Sequence, residues 1–345
     1  MKGLLKHISP LAPDDSGACS VLYELGGIVV ICDAGGCAGN VCGFDEPRWH
    51  EKRSALFSAG LRDMDAILGR DDRLIEKLVK VTEQVSDEFG RFTAIVGTPV
   101  PAVIATDFHA LERMAERKTH VPCLALPTDG TKLCDVGEQL AYIELFERFA
   151  EEREVKPGLT GIIGATPLET GCTRAAQITA GLDGGREYVC FGMDSDIEAI
   201  RAAAECERML VITPAGVKAA EYMERRFGTP YEVGFPCLPQ SVTAQAAALS
   251  GKKVLVIHQQ FAANALREKM SGCEVDCATW FMFDKRFARE GDFRITSEDV
   301  LNERIAERGY DVIIADSDLR RAIKSFAGGF IDFPHYAVSA RKMED

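Results

Sequence analysis

Four cysteines near the amino terminus are the residues of this sequence best suited to chemistry. They share one short stretch: Cys19, Cys32, Cys37 and Cys42. Gly35 and Gly36 directly precede Cys37, and glycine lets the backbone approach a bound group closely. Because thiolates are soft ligands that suit iron–sulfur clusters, this stretch predicts such a cluster, with the two glycines against the cofactor.

Two of these thiols flank a predicted strand, since Cys19 precedes Ile28–Cys32 and Cys37 follows it. Two thiolates per chain do not complete a four-cysteine cluster, but two copies related by a two-fold axis do. We therefore expect a four-cysteine iron–sulfur cluster at a homodimer interface. A heterodimer, a larger cluster and metal-free thiols stay open alternatives. A helix beginning after the glycines is expected to lower the thiol pKa through its positive dipole end.

The remaining cysteines are scattered along the chain and are expected to be small buried core residues. Cys273 and Cys277 form a C-x3-C pair without a matching second pair, which is weak support for zinc. Disulfide frameworks belong mainly to small secreted chains, and the first 20 residues contain Pro10, Pro13 and two aspartates instead of an apolar signal. We expect a cytoplasmic protein with reduced thiols and no membrane segment.

The charge balance argues against nucleic acid as a partner. The 345 residues include 40 Lys and Arg against 53 Asp and Glu, a formal net charge of −13. Phosphate binding needs clustered positive charge, which such a chain does not favour. The apolar fraction of 46% and charged fraction of 27% are typical of a folded globular protein.

The elements that must position the cysteines alternate between short apolar runs and longer helical patterns. The predicted strands are Ile28–Cys32, Thr93–Val96, Val121–Leu126, Thr160–Ile163, Tyr188–Phe191, Met209–Thr213, Lys253–His258 and Asp311–Ala315. The predicted helices are Asp71–Phe89, Phe108–Arg117, Asp135–Arg153, Asp196–Cys206, Gly216–Phe227, Ala262–Met270 and Ser297–Arg308. This alternation predicts an α/β protein of three Rossmann-like βαβ subdomains with mostly parallel sheets, at 1–155, 156–248 and 249–345.

Two nucleotide-binding alternatives fit the glycine-rich segment less well. The residues 33–39 lack a G-x-G-x-x-G pattern, and no convincing acidic partner follows about 20 residues later. The sequence also lacks a P-loop, since the Ser250–Lys253 segment has neither the first glycine nor the final Ser or Thr. ATP hydrolysis by a P-loop is therefore not expected.

Several motifs in order along the chain resemble the nitrogenase component 1 superfamily of catalytic components. Gly17-Ala-Cys19 and Gly35-Gly36-Cys37-Ala-Gly resemble its two amino-terminal cluster motifs. Segment 61–79 is similar to the family's acidic segment and the helix that follows it. Segment 209–230 is similar to a family helix that ends in Gly-x-Pro. Segment 336–343 is similar to the carboxyl end of the family's cofactor-bearing subunits. The resemblance covers nearly the whole chain.

This resemblance implies a function for the cysteines. Cys19 and Cys37 match the cluster ligands of the family position by position. A separate ATP-hydrolysing iron–sulfur reductase is then expected to dock and deliver single electrons to the cluster, and from there to a small-molecule substrate. The missing P-loop agrees with that division of labour.

The sequence also departs from the family pattern at the cluster. Pro99 stands where a third family cysteine is expected, which favours a simple [4Fe–4S] cluster over a larger one. Cys32 occupies a position that is often His, and Cys42 is an additional cysteine. Both are candidate further ligands.

The anchors of a nitrogenase cofactor are missing as well. The position of its Cys ligand falls at Ile212 or Thr213 in this sequence. The position of its His ligand falls near Ile331. We therefore expect a nitrogenase-like reductase that does not reduce dinitrogen. Its short length resembles that of the homodimeric subunit of nickel-sirohydrochlorin reductive cyclase.

The expected substrate is a tetrapyrrole or another unsaturated or sulfur-containing small molecule. The alternatives are a non-enzymatic scaffold or carrier for a metallocluster, and a cluster-free Rossmann-type binding protein. His258, at a predicted strand end, is either a proton donor or a hydrogen-bonded structural residue. Arg48 and Trp49 are candidates for contact with a docking protein.

Overall fold

Three parallel sheets organise the protein, as described by a computed structural model for residues 5–69, 71–324 and 326–342. Met343, the last residue of the predicted carboxyl-terminal motif, lies outside these residues. The strands are β1 (Ile28–Ile31), β2 (Ala55–Ser58), β3 (Thr93–Val96), β4 (Cys123–Leu126), β5 (Lys156–Ile163), β6 (Glu187–Cys190), β7 (Cys206–Val211), β8 (Tyr231–Val233), β9 (Lys253–Ile257), β10 (Glu274–Thr279), β11 (Phe293–Arg294), β12 (Val312–Ala315) and β13 (Gly329–Asp332).

The order of strands is that of doubly wound sheets. The first sheet has the order β2-β1-β3-β4, the middle sheet β6-β5-β7-β8 and the third sheet β11-β10-β9-β12-β13. The strand pairs described in each sheet are parallel. Central strands such as β1, β3 and β12 are buried along their whole length, which explains their continuous apolar sequences. The predicted fold class is confirmed.

Helices connect the strands and cover both faces of the sheets. They are α1 (Asp14–Leu22), α2 (Gly36–Asn40), α3 (Asp63–Leu68), α4 (Asp71–Val85), α5 (Pro99–Val103), α6 (Phe108–Thr119), α7 (Cys134–Phe149), α8 (Pro167–Thr170), α9 (Ala175–Thr179), α10 (Ile197–Arg201), α11 (Val217–Phe227), α12 (Gln240–Ala247), α13 (Gln260–Arg267), α14 (Glu298–Arg308) and α15 (Tyr336–Ser339). A π-helical turn, Val41–Asp45, follows α2 directly. In the described ranges we find no helix long and apolar enough to cross a membrane.

Helix α1 packs directly against α7 at two glycines. Every residue of α1 is buried. A Cβ added at Gly17 would lie 1.9 Å from the backbone oxygen of Cys134, and one at Gly137 would lie 1.7 Å from that of Asp14. Glycine at both positions is what allows the two backbones to touch.

The three sheets share one continuous hydrophobic core. Val29 of the first sheet, Ile162 of the middle sheet and Val256 of the third sheet belong to the same cluster of buried side chains. The subdomain boundaries at 155/156 and 248/249 therefore stay a prediction.

Candidate metal centre

The topology of the first sheet creates a crevice next to the candidate ligands. From β1 the chain leads to β2 on one side, while β3 and β4 lie on the other. In such sheets ligands bind beyond the carboxyl ends of the strands where the order reverses. The segment from Cys32 to Cys42 leaves the end of β1, and Thr98 follows the end of β3.

The glycine-rich loop is shaped by Asp33 and by Gly35. The buried Asp33 carboxylate accepts hydrogen bonds from the Ala38 amide at 2.9 Å and from the Ser58 hydroxyl at 2.5 Å. Gly35 has a φ of 116°, a conformation that strongly favours glycine. A Cβ at Gly35 or Gly36 would meet nothing within 4 Å among the described residues. The outer side of the loop is therefore open to a cofactor or a partner.

Three of the predicted ligands share one neighbourhood. Cys19 lies in α1 and is fully buried, whereas Cys37 in α2 and Cys42 in the π-helical turn are partly exposed. Each carries a free thiol. Cys19 interacts electrostatically with Cys42, and all three thiols interact with the carboxylate of Asp33. Soft donors on three neighbouring segments fit the chemistry of an iron–sulfur cluster.

Cys32 lies apart from these three thiols. Its side chain packs with Ile28 and Val30, while Val29 and Ile31 pack in the same core cluster as Cys19. Side chains alternate between the two faces of a strand, so Cys32 at the end of β1 points away from Cys19. Burial raises the pKa of the Cys32 thiol to about 12.

The thiol pKa values move in the direction opposite to our expectation. Burial raises the pKa of both Cys37 and Cys42, and nearby carboxylates, including that of Asp33, raise both further. Helix α2 is only five residues long, and burial together with the acidic surroundings outweighs the effect expected of its dipole. Without a bound cation the thiols are therefore protonated, and metal binding must release those protons.

Asp15 is a candidate site residue that our reading of the sequence missed. It lies one helical turn before Cys19 in α1 and interacts electrostatically with Cys19 and Cys37. Its Oδ1 atom is buried and has no hydrogen-bond partner within the described ranges. The i, i+4 spacing of Asp15 and Cys19 was the available signal, because such residues share a helix face.

Thr98 is a second missed residue. Its hydroxyl donates to the backbone oxygen of Cys32 at 2.8 Å, next to the cysteine-bearing loop. The following residue, Pro99, begins α5 and packs against Gly130. The Pro99 position therefore provides no thiol. The hydrogen bond from Thr98 to Cys32 links the end of β3 to the end of β1.

Arg48 holds the cysteine-bearing segment against the rest of the protein. The arginine is fully buried, and its guanidinium donates to both Glu46 carboxylate oxygens, at 2.7 and 2.6 Å. It also donates to the backbone oxygens of Ser20 at 2.7 Å and Gly192 at 2.8 Å. The expectation that Arg48 faces a docking protein is wrong, whereas Trp49 is 38% exposed.

Comparisons with known proteins identify the family. A model of the nitrogenase component 1 type oxidoreductase family matches residues 16–251. The fold is similar to that of nitrogenase Cp1 at pH 6.5, with 12% identity and a TM-score of 0.69 over 96% of this chain and 87% of that chain. Nitrogenase Cp1 at pH 5 gives 13% identity and a TM-score of 0.70 over 99% and 86% of the two chains.

A search of curated proteins finds no match to this sequence. The identities to the solved structures are low, so those structures support the fold alone. The family model, in contrast, covers well over half of the sequence and includes all four amino-terminal cysteines. This chain therefore belongs to the nitrogenase component 1 type oxidoreductase family.

Proposed function

We propose that this protein is the catalytic component of a nitrogenase-like reductase that holds an iron–sulfur cluster between two copies of the chain. Cys19 and Cys37 are its principal ligands, and Cys42 is a further candidate. The observation that carries the proposal is that Cys37 and Cys42 pack against the core cluster that contains Cys19, at the crevice of the first sheet and beside an open glycine loop. A cluster bound there supplies one-electron storage at low potential.

The chain's own residues support that role in different ways. Gly35 and Gly36 leave room for the cofactor. Asp15 presents an unpartnered carboxylate oxygen beside the thiols, in the part of the chain that the structure describes. Cys32 is left out of this ligand set because it packs on the opposite face of β1.

The dimer is proposed because apolar surface lies next to the candidate ligands. Phe44 follows Cys42 by two residues and is 67% exposed, and Trp49 adds a second exposed ring. Exposed apolar side chains grouped near an open site favour burial against a partner. A second copy of this chain would complete the ligand set by symmetry.

The electron donor and the compartment follow from the same proposal. Because the sequence has no P-loop, a separate ATP-dependent iron–sulfur reductase is the proposed source of electrons. Free thiols at Cys19, Cys37 and Cys42 suit a reducing compartment, so we place the protein in the cytoplasm.

The proposed substrate is a small unsaturated or sulfur-containing molecule, with tetrapyrroles as the first class to test. Dinitrogen is not proposed. Ile212, Thr213 and Ile331 stand at the expected anchor positions of a nitrogenase cofactor, and these side chains provide neither thiolate nor imidazole.

Anaerobic purification followed by iron and sulfide analysis tests the cluster. We expect about four irons per dimer, with the spectrum of a [4Fe–4S] cluster. Cys37→Ala should abolish the iron, whereas Cys123→Ala, which changes a buried cysteine of β4 in the same sheet, should keep it.

Cys19→Ala is expected to behave like Cys37→Ala. Because Cys19 is fully buried, circular dichroism must first establish that this variant folds. Colourless wild-type protein, or full iron in folded Cys37→Ala, would contradict the proposal.

Turnover separates a reductase from a cluster carrier. The holoprotein is mixed with an ATP-dependent reductase, ATP and a low-potential donor, and reduction of candidate tetrapyrroles is followed. We expect reduction that requires ATP and is lost in Cys37→Ala. Absence of turnover together with iron–sulfur transfer to an apo-acceptor would instead favour the carrier.

A further inference from the structure

A second group of potential metal ligands lies in the interior, where the three sheets meet. Cys134 and Glu138 come from the first turns of α7, and Glu169 lies in α8, directly after β5. One donor atom from each of these three buried residues lies within 4.8 Å of the other two. His335, which follows β13, places its Nε2 atom 3.8 Å from Glu169 Oε2. The donors thus belong to segments associated with all three sheets.

The protein itself leaves these donors incompletely satisfied. Glu138 Oε1 accepts from the Thr166 hydroxyl at 2.7 Å, and Glu169 Oε1 accepts from the Cys134 thiol at 3.9 Å. Glu138 Oε2, Glu169 Oε2 and His335 Nε2 are buried and have no hydrogen-bond partner among the described residues. A buried polar group without a partner costs free energy, so these three atoms leave coordination capacity beside the Cys134, Glu138 and Glu169 group.

Glu138 and Glu169 are both fully buried carboxyl groups. A divalent ion between them would balance the charge of both carboxylates.

His335 is held in place by ring stacking. Its ring stacks on that of His258, with centroids 4.2 Å apart and planes at 19°. His258 is fully occupied: its Nδ1 accepts from the Gln259 amide at 2.9 Å and its Nε2 donates to the Pro334 oxygen at 3.1 Å. The Nε2 atom of His335 is buried without a hydrogen-bond partner among the described residues, so a neutral ring can offer its lone pair to a metal.

We propose that Cys134, Glu138, Glu169 and His335 bind a single divalent transition-metal ion of the Zn²⁺ type. The set of one sulfur, two carboxylate and one imidazole ligands matches the preferences of this ion. Tetrahedral coordination with bonds of about 2.0–2.3 Å places ligand atoms about 3.3–3.8 Å apart, so the Cys134, Glu138 and Glu169 donors must draw closer together and His335 must turn toward them when the ion binds. Thr166 then orients Glu138 from the second coordination sphere.

The ion would connect the three sheets at their junction. Glu169 lies beyond β5 and His335 beyond β13, while α7 follows the first sheet and packs against α1. This site is separate from the proposed interfacial cluster at Cys19, Cys37 and Cys42, and it stands without that cluster. Because binding requires the folded arrangement, the ion should stabilise the native state.

Cobalt substitution tests the site independently of the cluster. Cys37→Ala protein, which lacks the proposed cluster, is expressed in defined medium with Co²⁺ as the probe. We expect about one cobalt per chain, with thiolate-to-cobalt charge-transfer absorption and the d–d bands of a tetrahedral ion. Adding Cys134→Ala or Glu169→Gln should remove the absorption. Adding Cys206→Ala, which changes a buried thiol of β7, should not.

Thermal unfolding with and without a chelator provides the second measurement. The chelator should lower the melting temperature of the parent protein and leave that of the Glu169→Gln variant unchanged. Glutamine preserves the shape of Glu169 without its charge, so this variant should fold. Substoichiometric cobalt in the parent, or identical cobalt spectra and chelator shifts in the parent and Glu169→Gln, would overturn the site. Either result would leave the iron content of the wild-type cluster unaffected.

Discussion

Gly17 lies directly against the backbone oxygen of Cys134, so that an added Cβ would approach that oxygen to 1.9 Å. This contact brings the helix that carries Cys19 to the first turn of the helix that carries Cys134. The two proposed metal sites therefore share one helix–helix contact, although their residues are far apart in the sequence.

Gly17→Ala should destabilise the protein strongly. The methyl group meets backbone, which moves only if the two helices separate, so we expect a loss of about 3 kcal/mol or more in the free energy of unfolding. Denaturant unfolding measures it. Gly184→Ala is the matched control, because a Cβ there would meet nothing within 4 Å in the described structure. Equal stability of the two variants would show that the helices do not pack this closely.

Arg48→Met should also be costly, for an electrostatic reason. Arg48 pairs with Glu46 and Glu24 at 2.6 and 2.8 Å, and its removal leaves Glu46 buried without its counter-charge. Breaking a buried pair in this way typically costs about 3–5 kcal/mol. Chemical denaturation should show this loss. The exposed arginine of the Arg153–Glu151 pair is the control, and Arg153→Ala should change stability by less than about 0.5 kcal/mol.

The two loop glycines should respond differently to alanine. Gly35→Ala forces a side chain into a φ of 116° and should cost about 2 kcal/mol. Gly36 carries no such constraint, so Gly36→Ala should keep the melting temperature. Its methyl group enters the proposed cofactor space, and the iron content of anaerobically purified protein should fall. Unchanged iron in Gly36→Ala would remove Gly36 from the cofactor contacts.

The Asp332–Arg341 pair should contribute a small, acid-sensitive stability. Hydrogen bonds from Arg341 at 2.7 and 2.9 Å lower the pKa of Asp332 below its usual value. A carboxyl group with a lowered folded-state pKa stabilises fully above its unfolded value of about 3.9 and loses that contribution as the pH falls below it.

Asp332→Asn should therefore cost less than about 1 kcal/mol at pH 7, because the pair is partly exposed. The difference from wild type should shrink as the pH approaches 3. Denaturant unfolding from pH 7 to pH 3 measures it, with Asp318→Asn as a control for an exposed carboxyl near the same sheet edge. A difference that grows on acidification would contradict the assignment.

Much of the fold could be predicted from the sequence because the central strands are buried on both faces. Thr93–Val96 is identical in the prediction and the structure, and β1 differs from its predicted range by one residue. The missed strands are mostly edges, since β2, β8, β11 and β13 each end a sheet. Edge strands pair on one side and remain partly exposed, so their sequences lack a continuous apolar run.

The candidate site was predictable only in part. Cys19 and Cys37 were selected by their residue type and by neighbouring glycines, which are local properties. The thiol pKa was predicted in the wrong direction because burial and the carboxylates of Asp15 and Asp33 are contributed by the folded chain.

The sequence by itself determined the fold class, the soft donors near the amino terminus and the family resemblance, because each depends on residue type and on short-range spacing. Tertiary structure alone decided that Cys32 faces away from Cys19, through the alternation of side chains along β1. It also decided that Cys134 and Glu169 meet in one buried group, and that His335 lies 3.8 Å from Glu169. These three residues are separated by long stretches of chain, and only packing of the three sheets around one core brings their side chains together.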